Sequence, residues 1–384
     1  MLYLFTSSMN KSTLHLLIFV LSILFWSPAA AQLKNKTKPG FGIEVNTMTG
    51  RIIRHSANFT SPIPKFSAAL DANFVWKTYG KKEWQQRRNF PVIGMGVTYT
   101  DYGNNQVYGR CMGVYPNLQI NIIKRKNFEW TLRLGDGLGY VTRRHRYPVD
   151  TINCAISTRI NDFAIVMTDL RFHVDDHWQL QVGANFTHIS NGDYYQPNLG
   201  VNMAGMHVGV QYYPVTYKPM PIIRDLPKLN NRWLAEMRYS ISFKEARAKG
   251  NPVLPSYVVA GYASRRWQGK NKMFFGADYA WHGDVYAFLK YNGIHEHNQR
   301  DYAWDGAVFA GNEFLVGRVG IITQLGVYYH QTYLKFDDLY QKYGVHLYLI
   351  RKETGTVKEL FLSALLLTHE ITAQFSEFGV GVGL

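Results

Sequence analysis

From about residue 41 to the last residue, apolar and polar side chains alternate with period two. Successive side chains of an extended chain point to opposite faces, so this pattern commits the chain to strands with one apolar and one polar face. Ile93-Gly94-Met95-Gly96-Val97-Thr98-Tyr99 shows it, as do Phe128 to Leu134 and the closing run Phe378-Gly379-Val380-Gly381-Val382-Gly383-Leu384. A soluble sandwich would alternate too. Two details favour a barrel in a membrane. Trp, Tyr and Phe gather near the ends of the apolar face, as an aromatic girdle requires, and the other face carries Gly, Thr, Gln, Asn and Arg, which suits a wet or crowded lumen.

Composition agrees. Aromatics make up 15% of the 384 residues and Gly numbers 33, while hydrophobic residues reach 46%, which excludes general disorder. Mean hydropathy is only −0.20, and no internal apolar run approaches the ~18 residues of a membrane helix. Turn lengths alternate. Short turns fall at Gly80-Lys81-Lys82-Glu83, Lys124 to Asn127, Asp175-Asp176-His177 and Lys352 to Gly355; longer loops cover 143–160, 191–201, 282–302 and 331–340. Outer-membrane barrels show this asymmetry of short periplasmic turns and long external loops. The expected fold class is therefore all-β: an antiparallel transmembrane outer-membrane β-barrel of about 14 to 16 strands. The Pro-containing stretch 214–229 breaks the pattern and divides residues 41–213 from additional strands over 230–384. Asp284 to Tyr291 reads as a short helix within a loop.

The first 31 residues read as a secretory signal peptide: Lys11, the uncharged run Leu14 to Trp26, then Ala29-Ala30-Ala31 before the expected cut. That leaves residues 32–384 as the exported barrel. The formal charge of +15 would suggest nucleic acid in a cytosolic protein. In an exported one it points instead to an anionic envelope surface, and no nucleic-acid partner is expected. The two cysteines, Cys111 and Cys154, are too few for a zinc ribbon and fall on the same expected side, where one disulfide is possible.

The most informative stretch is Trp178 to Tyr213. Trp178, Leu180, Val182, Ala184 and Phe186 share one strand face, and by parity that face continues into His188 and Ser190. On the next strand Met206, Val208, Val210 and Tyr212 form the apolar set, and Asn202 shares their side. Three polar groups thus converge at the end of a lipid-facing stripe, where polar groups are unfavourable without a use. Ser beside His is the minimum for nucleophilic acyl transfer: His takes the serine proton, and a third group fixes its tautomer. His295-Glu296-His297 reads as a solvated pair, the H-E-x-x-H helix motif is absent, and no metal or other cofactor is implied.

His188-Ile189-Ser190-Asn191, followed by Gln196-Pro197-Asn198-Leu199-Gly200, resembles the outer-membrane lipid A 3-O-deacylase family (PagL-like), whose longer relatives are also described as acyloxyacyl hydrolases. Thr78 to Trp84, Tyr115-Pro116, Thr368-His369 and Glu377-Phe378-Gly379 look like its other recurring segments. The resemblance implies a barrel of the cell outer membrane that hydrolyses an ester-linked acyl chain of lipid A, with lipopolysaccharide as its partner. It implies His188 as general base and Ser190 as nucleophile, with Asn191 and the neighbouring Gly192 around the oxyanion. The family's acid falls twelve positions after the serine, where this chain has Asn202. Asn can orient the imidazole through its carbonyl but brings no charge; Asp193 is the other candidate for that support. The competing expectation is a non-enzymatic, porin-like or structural barrel with a degenerate site.

Overall fold

The structure is a computed structural model that describes residues 38–226, 231–370 and 372–384. The signal segment and its cut after Ala31 lie outside the described residues. Every alternating segment is a strand. The first eight are β1 (Phe41–Ile52), β2 (Ser67–Lys77), β3 (Val92–Asp101), β4 (Arg110–Lys124), β5 (Phe128–Val141), β6 (Ile160–His173), β7 (Trp178–Ser190) and β8 (Val201–Tyr212). The second eight are β9 (Trp233–Glu245), β10 (Val253–Trp267), β11 (Asn271–His282), β12 (Trp304–Val316), β13 (Val319–His330), β14 (Leu339–Arg351), β15 (Glu359–His369) and β16 (Thr372–Gly383). Helix α1 (Glu83–Arg87) follows β2, and α2 (Gly283–Tyr291) follows β11, where the short helix was expected. No helix among the described residues is long and apolar enough to cross a membrane.

The expected class and strand number hold, with sixteen strands among the described residues, all pairing antiparallel. They do not surround a single axis. β1 pairs with β8 and β9 with β16, so the chain closes as two eight-stranded barrels. Alternation assigns each residue to a face but says nothing about which edge a strand meets, and so cannot distinguish one closure from two. Closure leaves no strand edge unpaired in lipid. The junction is the Pro-containing stretch, held at the short-turn rim where Ile222 N donates to Tyr79 O at 2.8 Å and Gln86 Nε2 donates to Arg224 O at 2.9 Å.

The turns at 125–127, 174–177 and 352–358 lie at one rim and the long loops at the other, which makes the long-loop rim the outer one. At the short-turn rim the expected tight turn Gly80 to Glu83 is instead a 78–91 connection that carries α1. Outward faces are apolar, with Phe41, Trp76, Phe128, Trp178, Tyr212 and Trp233 near the short-turn rim. Inward faces are polar and paired. In the first barrel Arg133 bonds Asp71 at 2.8 Å and contacts Glu44, Arg171 meets Asp169 at 3.3 Å, and His207 Nε2 meets Asp169 Oδ1 at 2.8 Å. In the second, Lys272 is ringed by Glu236 and Glu359 at 2.9 Å and Glu313 at 3.2 Å, while Lys342 pairs with Asp278 at 2.9 Å. Eight strands enclose a space that side chains fill. These buried networks argue against the porin-like alternative, which needs an open lumen. Cys111 and Cys154 are free thiols; the latter's sulfur lies 3.0 Å from Ser61 Oγ.

Candidate active site

β7 ends at Ser190, at the outer rim. β7 and β8 register His188 directly opposite Asn202, so the two side chains emerge on one face with adjacent Cβ atoms. The side chains meet. Asn202 Oδ1 lies 2.5 Å from His188 Nδ1, and Ser190 Oγ lies 2.9 Å from His188 Nε2. An amide oxygen only accepts, so Nδ1 carries the proton and Nε2 is left to accept from the Ser190 hydroxyl. The expected convergence of His188, Ser190 and Asn202 is therefore present as a continuous hydrogen-bonded chain. Asp193, the other candidate for supporting His188, points elsewhere: it is ion-paired to Lys244 at 2.6 Å and accepts from Gln196.

Phe186, Met206 and Val208 are exposed on the same outer face below the site. Ser190 itself is only 3% exposed, because the loop 191–200 folds over it. That loop is anchored on the first barrel. Asn191 N donates to Asn198 Oδ1 at 2.9 Å, and Asn191 Nδ2 donates to Ser157 Oγ and Tyr195 O, both at 2.9 Å. His55 Nε2 is 2.7 Å from Leu199 O. The expected oxyanion role of Asn191 therefore meets a difference: its N–H groups are already engaged, within the loop and with Ser157. The buried Nδ2 of Asn198, by contrast, has no partner among the described residues. Gly200 has φ +73°, and a Cβ there would lie 2.9 Å from His188 Cε1. Only glycine allows both that backbone and the approach of the imidazole.

The second barrel reaches the same loop. Glu245 N donates to Tyr194 O at 3.1 Å, and Gln196 N donates to Glu245 Oε2 at 2.8 Å. Gly192 has φ +61°, and a Cβ there would lie 2.0 Å from Ser376 Oγ. Burial pushes the Asp193 carboxyl up to about 6, with Lys244 pulling the other way.

Sequence reasoning missed several of these residues. Asn198 and Gly200 stand in the quoted motif, but no spacing rule assigned them a contact. Asp162 was not singled out at all. It registers directly opposite Ser190 on β6, exposed on the same face, while the small Ala164 registers opposite His188 and leaves the ring room. Lys244 lies beyond the junction, where only the fold brings it to the loop. The H-x-H stretch lies in the loop after α2, with His295 stacked on Tyr302 at 3.8 Å.

Comparison with known proteins gives two family matches. Residues 68–211 match lipid A 3-O-deacylase (PagL), and residues 234–384 match the acyloxyacyl hydrolase C-terminal domain. No curated protein matches the chain. Among solved structures, the outer membrane enzyme PagL is similar at 14% identity and a TM-score of 0.32, covering 43% of this chain and 97% of that one. Neisserial surface protein A is similar at 9% identity and a TM-score of 0.32, covering 45% and 96%. A mutant Rh. blastica porin covers 90% of this chain and 100% of its own at 8% identity and a TM-score of 0.21.

Proposed function

We propose, from the premise that the chain belongs to the lipid A 3-O-deacylase and acyloxyacyl hydrolase family and is an outer-membrane lipid A deacylase, that it works as a serine esterase through Ser190 and His188. The observation that carries this reading is the single imidazole bridging a serine hydroxyl and an amide carbonyl. Ser190 Oγ attacks the ester carbonyl of an acyl chain at the 3-position of lipid A while His188 Nε2 takes its proton. Gly192 N–H and Asn198 Nδ2 donate to the oxygen that becomes negative. As the tetrahedral adduct collapses, His188 returns the proton to the departing sugar alkoxide. Water, deprotonated by the same imidazole, then frees the acyl chain and regenerates Ser190. Asn202 Oδ1 keeps the Nδ1–H tautomer throughout.

The location of the site supports a lipid substrate. Its serine lies at the top of an apolar stripe through Phe186 and Met206, so an acyl chain can remain among lipid tails while its ester reaches the rim. The mature chain begins at Gln32 in this reading, after the signal peptide. The test is purified protein in detergent with purified lipid A, the products weighed by mass spectrometry. Loss of one hydroxyacyl chain with wild type and none with Ser190→Ala is the expected result. Equal release by Ser190→Ala would remove Ser190 as nucleophile, and no release by wild type would return the degenerate-barrel alternative.

A further inference from the structure

At the outer mouth of the second barrel, a cavity of about 300 Å³ adjoins the loop over Ser190. Gln196 of that loop forms part of its wall, together with Lys244 and Arg247 at the end of β9, Phe288 of α2, and Lys335 and Phe336 between β13 and β14. The charges divide into two sets. Lys244 is neutralised by Asp193 at 2.6 Å and donates to Gln374 O at 2.9 Å. The acids are engaged too: Glu245 accepts from Gln196 N at 2.8 Å, and Asp284 faces Ser256 Oγ at 3.5 Å. Arg247 and Lys335 are exposed, and neither forms an ion pair or hydrogen bond among the described residues. Two cations outside any ion pair among the described residues therefore flank an aromatic-walled hollow, whose acids Glu245 and Asp284 are hydrogen-bonded rather than ion-paired, with Arg247 also acting on Asp193 through space.

We propose that this cavity is the headgroup subsite of the enzyme: it takes one phosphate-bearing glucosamine of lipid A, with Arg247 and Lys335 holding the phosphate and Phe336 and Phe288 lying against the sugar. The proposal rests on the deacylase reading of Ser190. Its volume lies at the small end of the range for ligand pockets, ~300–1,000 Å³, which fits one phosphorylated sugar ring. Guanidinium and ammonium groups are the side chains that hold phosphate. Position supplies the rest. A lipid whose acyl ester sits at the rim over Ser190 has its polar headgroup at the level of the outer loops, and the cavity opens there, sharing a wall with the catalytic loop. Occupation of the cavity would also bear on Gln196, so headgroup binding and loop order are linked through one residue.

The experiment has two arms. In the first, the double variant Arg247→Ala/Lys335→Ala is compared with wild type on phosphorylated lipid A and on the same lipid A dephosphorylated. The preference of wild type for the phosphorylated form, read as the ratio of KM values, should collapse by at least about tenfold, while Lys249→Ala, an exposed neighbour outside the cavity, keeps the wild-type ratio. An unchanged ratio in the double variant overturns the proposal. In the second arm, binding of phosphorylated lipid A in micelles is measured on Ser190→Ala with and without the two further substitutions, so that it does not depend on turnover. Weaker binding only with both cations removed supports the cavity even if wild type were found not to deacylate, a result that would strike the deacylase reading alone. Equal binding overturns the cavity. Inorganic phosphate is the competitor: if it displaces lipid A at concentrations comparable to the lipid's own, the site is a simple anion site and the headgroup assignment falls.

Discussion

His188 touches both Ser190 and Asn202, so substitutions around it separate proton transfer from ring orientation. Ser190→Ala and His188→Asn should each abolish lipid A deacylation, and the double variant should be no worse than either, because the two act as one unit. Asn202→Ala should cost less, about 10- to 100-fold in kcat, since it removes orientation but no charge; replacing a triad Asp by Asn costs ~10⁴ where charge is also lost. Asn202→Asp should raise kcat about tenfold by adding a charge-assisted bond to the imidazolium. Steady-state kinetics in detergent read all four. Asp193 makes a different prediction. Its folded value of about 6 lies above the ordinary 3.8, so between those values the folded chain keeps a proton that the unfolded chain has released. Its contribution to stability is therefore full below the ordinary value and lost as pH rises through about 6. Relative to Asp193→Asn, wild type should lose roughly 3 kcal/mol from about pH 3.5 to 7, read from urea midpoints in micelles at each pH. Lys244→Met should move that loss to higher pH. At this scale the sequence was legible where parity alone sufficed: His188, Ser190 and Asn202 share a face by counting. Asp193 was not, because its partner lies 51 positions away in another barrel.

The strands and turns were read from alternation because each strand has one face toward lipid and one toward the lumen, a contrast that survives in single residues. The lumen faces carry a cost that alternation does not show. Lys272 is about 1% exposed and lies within 3.2 Å of three carboxylates. Removing it would leave Glu236 and Glu313 without a lysine or arginine partner and Glu359 with Arg266 alone. Lys272→Met should therefore destabilise the second barrel by ~3–5 kcal/mol, as breaking a buried pair from one side does. Loss of heat-modifiable migration on gels at a lower temperature than wild type would show it. Replacing these four residues together with Arg266, which is bonded to Glu359, by apolar ones of similar volume should recover much of the loss, since no buried charge of the cluster is then left without its partner. The same logic separates loop residues from strand residues at the site. Gly200 and Gly192 have positive φ and near neighbours, requirements set by the folded loop rather than by any periodic pattern, so Gly200 was visible only as a letter in a motif and Gly192 only as a neighbour of the expected oxyanion.

On the scale of the whole molecule, two closures in place of one change what can be removed. A single barrel of sixteen strands cut in half would leave two long unpaired edges in lipid, and such a half could not insert. The first eight strands here pair β1 with β8, so a chain ending at residue 226 has no open edge. It should insert, resist protease across its strands, and show heat-modifiable migration by itself. Activity should not follow stability. The loop over Ser190 would keep its bonds to Ser157 and His55 but lose Lys244, Glu245 and Ser376. Displacing a catalytic group by ~1 Å can cost ~10²-fold, so the truncated barrel should deacylate lipid A at least about tenfold more slowly than the full chain while unfolding at a similar urea concentration. A truncated chain that fails to insert would argue for one continuous barrel. A truncated chain that works at the full rate would mean that the second barrel does not position the loop. The intermediate outcome, folded but slow, is the one the contacts require: the first barrel holds the reacting groups, and the second holds the loop that covers them.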